Sequence, residues 1–139
     1  MESKFEEKAV EVLAIIRRHK FQETKKMLSD AGYDQMTFYS IHGRGKQKGR
    51  GGLANELDPG LDLINKNKDN NMEMADNDYH FLPKRMLSLV IPESAMSKVL
   101  EIIININKTG FYGDGKIFVI PVGFVERIRT SEEGLYALA

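Results

Sequence analysis

The sequence contains no cysteine, and that absence removes disulfides, cysteine-ligated zinc and thiol catalysis together. Net charge is absent as well, because 20 lysines and arginines balance 20 aspartates and glutamates. A neutral chain lacks the long-range attraction expected of a general nucleic-acid binder. No apolar run comes near the roughly eighteen residues of a membrane span. The opening residues, MESKFEEKAV, are charged and acidic, unlike a secretory signal. These absences predict a cytoplasmic protein with no nucleic-acid partner and no membrane insertion. The histidines at positions 19, 42 and 80 share no helix-face spacing and sit in no motif with carboxylates, so they give no metal-ligand set. Neither a Ser-His-Asp pattern nor a paired-carboxylate site can be assigned, and nothing points to an enzyme.

What is present suffices for one domain over residues 1–139, with 42% apolar and 29% charged residues around a single modest core. Residues 10–16 (VEVLAII) form a compact apolar run short enough for a buried strand. Phe21, Thr24, Leu28 and Ala31 recur at helical spacing, and Gly32 follows where a helix-ending glycine is favourable. Residues 36–42 (MTFYSIH) are aromatic and β-branched, the composition of a strand. Residues 85–91 (RMLSLVI) predict another, with Leu87, Leu89 and Ile91 on one face and Pro92 ending it. Ser94 is expected to cap a helix in which Met96, Val99, Leu100 and Ile103 share a stripe. A fourth strand is expected from residue 116 to about residue 126, and Pro121 suggests an edge position or a bulge in it. The order β-α-β-β-α-β predicts an α+β, ferredoxin-like subunit.

The second and third strands are joined by an unusually long connection, residues 43–79. Structureless loops of more than about fifteen residues are uncommon in compact domains and are usually functional or disordered. This one has two parts. Residues 44–50 (RGKQKGR) carry four positive charges and no acid, interleaved with glycines. Residues 55–78 hold seven acids, two lysines and six asparagines, too little apolar content to order in isolation. The basic part has three readings: a short arginine-glycine RNA segment, a phosphate-approaching loop with Gln47 as a polar ligand for a nucleotide-bound cation, or a solvated loop with no ligand.

The densest cluster of functional residue types is GFYGDGKIFVIPV at 110–122, followed by the paired arginines of ERIRT at 126–130. Glycines let a backbone approach a ligand and expose N–H groups to phosphate oxygens. Lys116, Arg127 and Arg129 add charge suited to a polyphosphate. The same Asp-Gly step is also a common hairpin turn, so the stretch alone leaves both readings open.

Four stretches stand in order on these elements: GRGKQKG at 43–49, FLPK at 81–84, GFYGDGKIFVIPV at 110–122 and RIRTSEEG at 127–134. Together they resemble the PII family of nitrogen-signalling proteins, over nearly the whole chain from about residue 10. The resemblance implies a trimer of ferredoxin-like subunits with ATP or ADP held in clefts between them. It also implies 2-oxoglutarate sensing through a magnesium ion bridged to ATP, with the long connection as the family's T-loop. On the matching positions it assigns Gly113, Asp114, Gly115, Lys116, Arg127 and Arg129 to the nucleotide phosphates. Thr37, Gly45 and Lys46 join them as further nucleotide contacts. Gln47 matches the magnesium-coordinating glutamine, Lys48 and Gly49 offer backbone groups to 2-oxoglutarate, Lys84 pairs a carboxylate of that acid, and Arg17 stands where a second basic contact is usual.

The departures narrow the branch. The usual Gly-Phe-Gly of the loop base is Gly43-Arg44-Gly45, the loop carries the acidic Asn-rich insertion, and Asn77 stands where many bacterial members have a uridylylated tyrosine, Tyr79 being displaced by two. This pattern is most similar to the nitrogenase-associated NifI branch, in which a hetero-oligomer of two related PII-like proteins inhibits dinitrogenase and 2-oxoglutarate relieves it. The resemblance therefore implies a homotrimer or hetero-oligomer with dinitrogenase as target. The alternative target is an ammonium transporter, whose pore a T-loop plugs.

Overall fold

The computed structural model describes residues 7–43 and 82–138. They form β1 (Ala9–Arg17), α1 (Phe21–Asp30), β2 (Thr37–Gly43), β3 (Leu82–Pro92), α2 (Met96–Asn107) and β4 (Lys116–Val122), with 3-10 turns at Arg18–Lys20, Glu93–Ala95 and Gly134–Leu138. The strands make one sheet in the order β2-β3-β1-β4, and every neighbouring pair is antiparallel. This is the α+β, ferredoxin-like arrangement expected. The expected position of the long loop falls outside the described residues.

Period-two alternation in β1 explains the core. Val10, Val12, Ala14 and Ile16 point to one face and are buried, paired across the sheet so that Val10 meets Ile91, Val12 meets Leu89 and Ala14 meets Leu87. Phe21 and Leu28 of α1 and Val99 and Ile103 of α2 close over this face. The intervening β1 residues, Glu11, Leu13, Ile15 and Arg17, share the opposite face with Lys84, Met86, Ser88 and Val90 of β3. On that second face Ser88 donates a 2.7 Å hydrogen bond to Glu11, and Tyr39, Phe118 and Ile120 remain exposed.

The helices are also tied by a polar contact that periodicity does not reveal. Asn107, 4% exposed, donates through Nδ2 to Thr24 Oγ1 at 3.0 Å and to the Ile103 carbonyl at 2.8 Å. Thr24 in turn donates to the Lys20 carbonyl at 2.8 Å.

Several boundaries differ from expectation, each for a local reason. β3 starts at Leu82, because β2 pairs with it down to Gly43–Leu82. Pro83 is tolerated there because β1 pairing stops at Arg17–Lys84, leaving Pro83 one neighbour. β3 does end at Pro92, which is its last residue. β4 stops at Val122, not near residue 126, because its partner β1 begins at Ala9 opposite that residue. Pro121 does lie on an edge strand, as expected. Ser94 does not cap α2: the N-cap is Ala95, with no side-chain cap bond, and the Ser94 amide donates to Glu7 instead. The fully buried stripe of α2 is Val99, Ile103 and Asn107, with Met96 and Leu100 only partly covered.

Leu28 is fully buried between the layers. Leu28→Ala should therefore cost about 2–5 kcal/mol, read by urea unfolding at matched protein concentration, since any assembly makes stability concentration-dependent.

Candidate functional site

The register of β1 and β3 sets Arg17 directly opposite Lys84 on the face away from the helices. Both are buried, at 0% and 8% exposure. Two neighbouring buried cations are costly unless polar groups replace the water they lose. The turn that leaves α2 supplies those groups. Arg17 Nη2 donates to the Tyr112 carbonyl at 3.0 Å and to Asp114 Oδ1 at 3.2 Å, and Lys84 Nζ donates to the Gly113 carbonyl at 2.8 Å. Arg17 Nε and Nη1 are buried without a hydrogen-bond partner. A guanidinium held by one nitrogen and unsatisfied at the other two is a donor set suited to an anionic oxygen.

The turn itself is built around Asp114. Its Oδ2 accepts from the backbone amides of Thr109 at 2.8 Å and Gly110 at 2.9 Å. Its Oδ1 accepts from the Thr109 hydroxyl and from Arg17. Burial pushes the Asp114 carboxyl up, but the Thr109, Gly110 and Arg17 hydrogen bonds outweigh burial and hold it below the usual carboxylate range. The carboxylate is thus turned into its own loop. Gly113 and Gly115 have φ of +104° and +106°, a conformation that favours glycine. Gly115 also lies hard against β1: a Cβ there would sit 1.8 Å from the Ile15 carbonyl oxygen. Lys116 follows at once, opposite Ile15 and exposed.

Arg17, Lys84, Gly113, Asp114, Gly115 and Lys116 therefore converge at one end of the open face. Thr37 does not join them. It begins β2, across β3 from Leu13, and β2 and β4 are opposite edges of the sheet, three strand spacings or about 14 Å apart. Arg127 serves the C-terminal turn, donating to Glu132 and to the Tyr136 carbonyl, and Arg129 is exposed beyond it. Gly45, Lys46, Gln47, Lys48 and Gly49 lie outside the described residues. Among the described residues no cluster of three histidines or carboxylates could hold a metal ion. Thr109 and the Tyr112 carbonyl were not singled out in the sequence, although a threonine five residues before an aspartate in a glycine-rich stretch is a readable turn signal.

The model of the family described as nitrogen regulatory protein P-II matches residues 9–132. The chain belongs to the PII family. It is 41% identical over 128 residues to the nitrogen fixation nifHD region glnB-like protein 2 of Methanococcus maripaludis, covering 92% of this chain and 98% of that one. It is also 41% identical over 124 residues to the protein of the same description from Methanobacterium ivanovii, covering 89% and 94%. Among solved structures, Arabidopsis thaliana PII bound to citrate superposes with a TM-score of 0.66 at 27% identity, covering 94% of this chain and 92% of that one. The B. subtilis GlnK–ATP complex matches with the same score at 26% identity, covering 94% and 98%. The chain is thus a GlnB-like PII regulatory protein similar to those of nitrogen-fixation regions, and PII proteins are regulators rather than enzymes.

Two outcomes follow from the turn. Gly115→Ala should displace it from β1, seen as loss of the slow amide exchange expected where the Ile15 backbone is shielded; unchanged protection would contradict the contact. Asp114 has a folded pKa below its unfolded value, so its contribution to stability is complete above the ordinary carboxylate range and is lost as pH falls through the folded value. Unfolding midpoints of the parent and Asp114→Asn should therefore converge as the solution is acidified through and below the ordinary carboxylate range.

Proposed function

We propose that this chain is a nitrogen-status sensor that binds ATP or ADP together with 2-oxoglutarate and inhibits nitrogenase when 2-oxoglutarate is low. The observation that carries the reading is the buried Arg17–Lys84 pair beneath the glycine turn, with Arg17 Nε and Nη1 unsatisfied. A dicarboxylate supplies the acceptor oxygens these donors lack, and charge-assisted bonds of this kind are the strong ones. Citrate in the Arabidopsis relative and ATP in the Bacillus relative support an acid and a nucleotide as the ligand classes.

In this reading Arg17 and Lys84 receive the carboxylates of 2-oxoglutarate, with Lys48 and Gly49 adding backbone groups. Gly113 and Gly115 present backbone, and Lys116, Arg127 and Arg129 present charge, to the nucleotide phosphates. Thr37, Gly45 and Lys46 contact the remainder of the nucleotide, and Gln47 holds magnesium. A bound magnesium ion would supply positive charge that offsets repulsion between the triphosphate and the acid. The sheet order favours sites shared between copies: Thr37 on the β2 edge and Lys116 on the β4 edge of one chain are too far apart for one compact contact, whereas edges of neighbouring copies bring such residues together. A homotrimer, or a hetero-oligomer with a related PII-like chain, satisfies that requirement. The names of the relatives support nitrogenase as the target, and residues 55–78 as its contact, since an acidic segment favours a basic partner.

Removing one charged hydrogen bond costs about 1.5–3 kcal/mol. Arg129→Ala should thus weaken ATP about tenfold or more, and an unchanged affinity in a folded variant would remove Arg129 from the site. The decisive assay is nitrogenase inhibition. Replacing residues 55–78 by a short Gly-Ser linker should preserve ATP binding and abolish inhibition that 2-oxoglutarate relieves. A linker variant that still inhibits normally would move target recognition onto the rigid body.

A further inference from the structure

Asp114 occupies a position between two groups of donors. Its Oδ2 is committed to the Thr109 and Gly110 amides, 2.8 and 2.9 Å away, which fold the turn. Its Oδ1 is shared by the Thr109 hydroxyl and Arg17 Nη2. The same Nη2 holds the Tyr112 carbonyl. One guanidinium nitrogen therefore links the strand end that carries the acid-facing donors to both ends of the glycine turn.

We propose that Asp114 is a positioning residue that fastens Arg17 to the phosphate-facing turn, so that a bound dicarboxylate and a bound nucleotide reinforce each other through this one carboxylate. The inference rests on the reading that 2-oxoglutarate meets Arg17 and that phosphates meet the turn. A ligand oxygen taken by Nε or Nη1 need not displace Nη2, because those nitrogens have no partner to give up. Such a ligand fixes the guanidinium in the orientation that already grips Tyr112 and Asp114. A turn held in place before the nucleotide arrives loses less freedom when the nucleotide binds, and the linkage is reciprocal. Ionised Asp114 accepts only, which suits its four donors.

The sign of the effect separates positioning from simple charge. Asp114 places a negative charge beside an anion site, so its removal should tighten an acid if charge alone mattered. Asp114→Asn is the discriminating variant. Its carbonyl oxygen can keep the two backbone amides, and the Thr109 hydroxyl can turn to accept from the new amide nitrogen, so the turn persists. That nitrogen then faces Arg17 donor to donor, so the Arg17–Asp114 contact is lost and only the Tyr112 carbonyl still ties Arg17 to the turn.

The test is calorimetric titration of 2-oxoglutarate into MgATP-loaded protein, paired with MgATP titrations at zero and saturating 2-oxoglutarate. For Asp114→Asn the affinity for 2-oxoglutarate should fall about fivefold or more, and the factor by which 2-oxoglutarate tightens MgATP should fall by the same ratio. Arg17→Lys keeps the charge but removes the separate Nε and Nη1 donors that would receive the acid while Nη2 holds Tyr112 and Asp114, and it should lose the same coupling. Retained coupling in both variants, or tighter 2-oxoglutarate binding by Asp114→Asn, would overturn the proposal. If the parent protein bound no 2-oxoglutarate with MgATP present, the reading beneath it would fall and the coupling with it.

Discussion

A guanidinium with no exposed surface needs polar partners in place of the water it loses, and that requirement at Arg17, met at Nη2 alone, organises the functional end of this molecule. The side chain stands at the last position of β1, beside Lys84 in the register of the central strand pair. Neither cation can stay buried on a bare sheet, so the segment between α2 and β4 folds over them and turns the carbonyls of Tyr112 and Gly113 inward. The geometry of that segment follows from the demand. Glycines sit where φ is positive, Asp114 closes the turn on its own amides, and Gly115 lies against the Ile15 backbone. Lys116 follows the turn at once, exposed at the start of β4. Core packing contributes only indirectly, by holding β1 and β3 in the register that makes Arg17 and Lys84 neighbours.

The sheet order adds a second constraint. With β2 and β4 as opposite edges, one copy separates Thr37 from the glycine turn. Its uncovered face carries exposed Tyr39, Phe118 and Ile120. Exposed apolar side chains grouped on a sheet face are the kind of surface that interfaces cover. In the proposed reading, assembly covers this surface and completes the nucleotide site together, which couples the oligomer to its ligands by mass action.

Much of this was legible in the residues. The apolar run at residues 10–16, the alternation at 85–91 and the helical spacing from Phe21 point to the elements and most of the core, because burial demands apolar residues at those positions. The glycine-rich 110–116 stretch also stood out. The role of Asp114 did not: the family resemblance sets it near the phosphates, and the structure adds that its carboxylate is engaged by Thr109, Gly110 and Arg17. The Arg17 contact joins residues 97 apart in sequence, and local pattern carries no such information. A long-range contact also makes the Thr24–Asn107 bridge, which joins two helices that read independently. Ser94 is not the cap because it lies within the 3-10 turn Glu93–Ala95, and the helix N-cap is one residue later, at Ala95. Strand ends were misjudged wherever the partner strand, not the strand's own composition, decides where pairing stops.

The central claim is that the Arg17–Lys84 end of the sheet receives 2-oxoglutarate as one part of a nucleotide-dependent site. Calorimetric titration of 2-oxoglutarate into the unmodified protein, with and without MgATP, tests it most directly. The account predicts clear saturable binding when MgATP is present and little or none when it is withheld. Equal binding in the two conditions, or none in either, would contradict it.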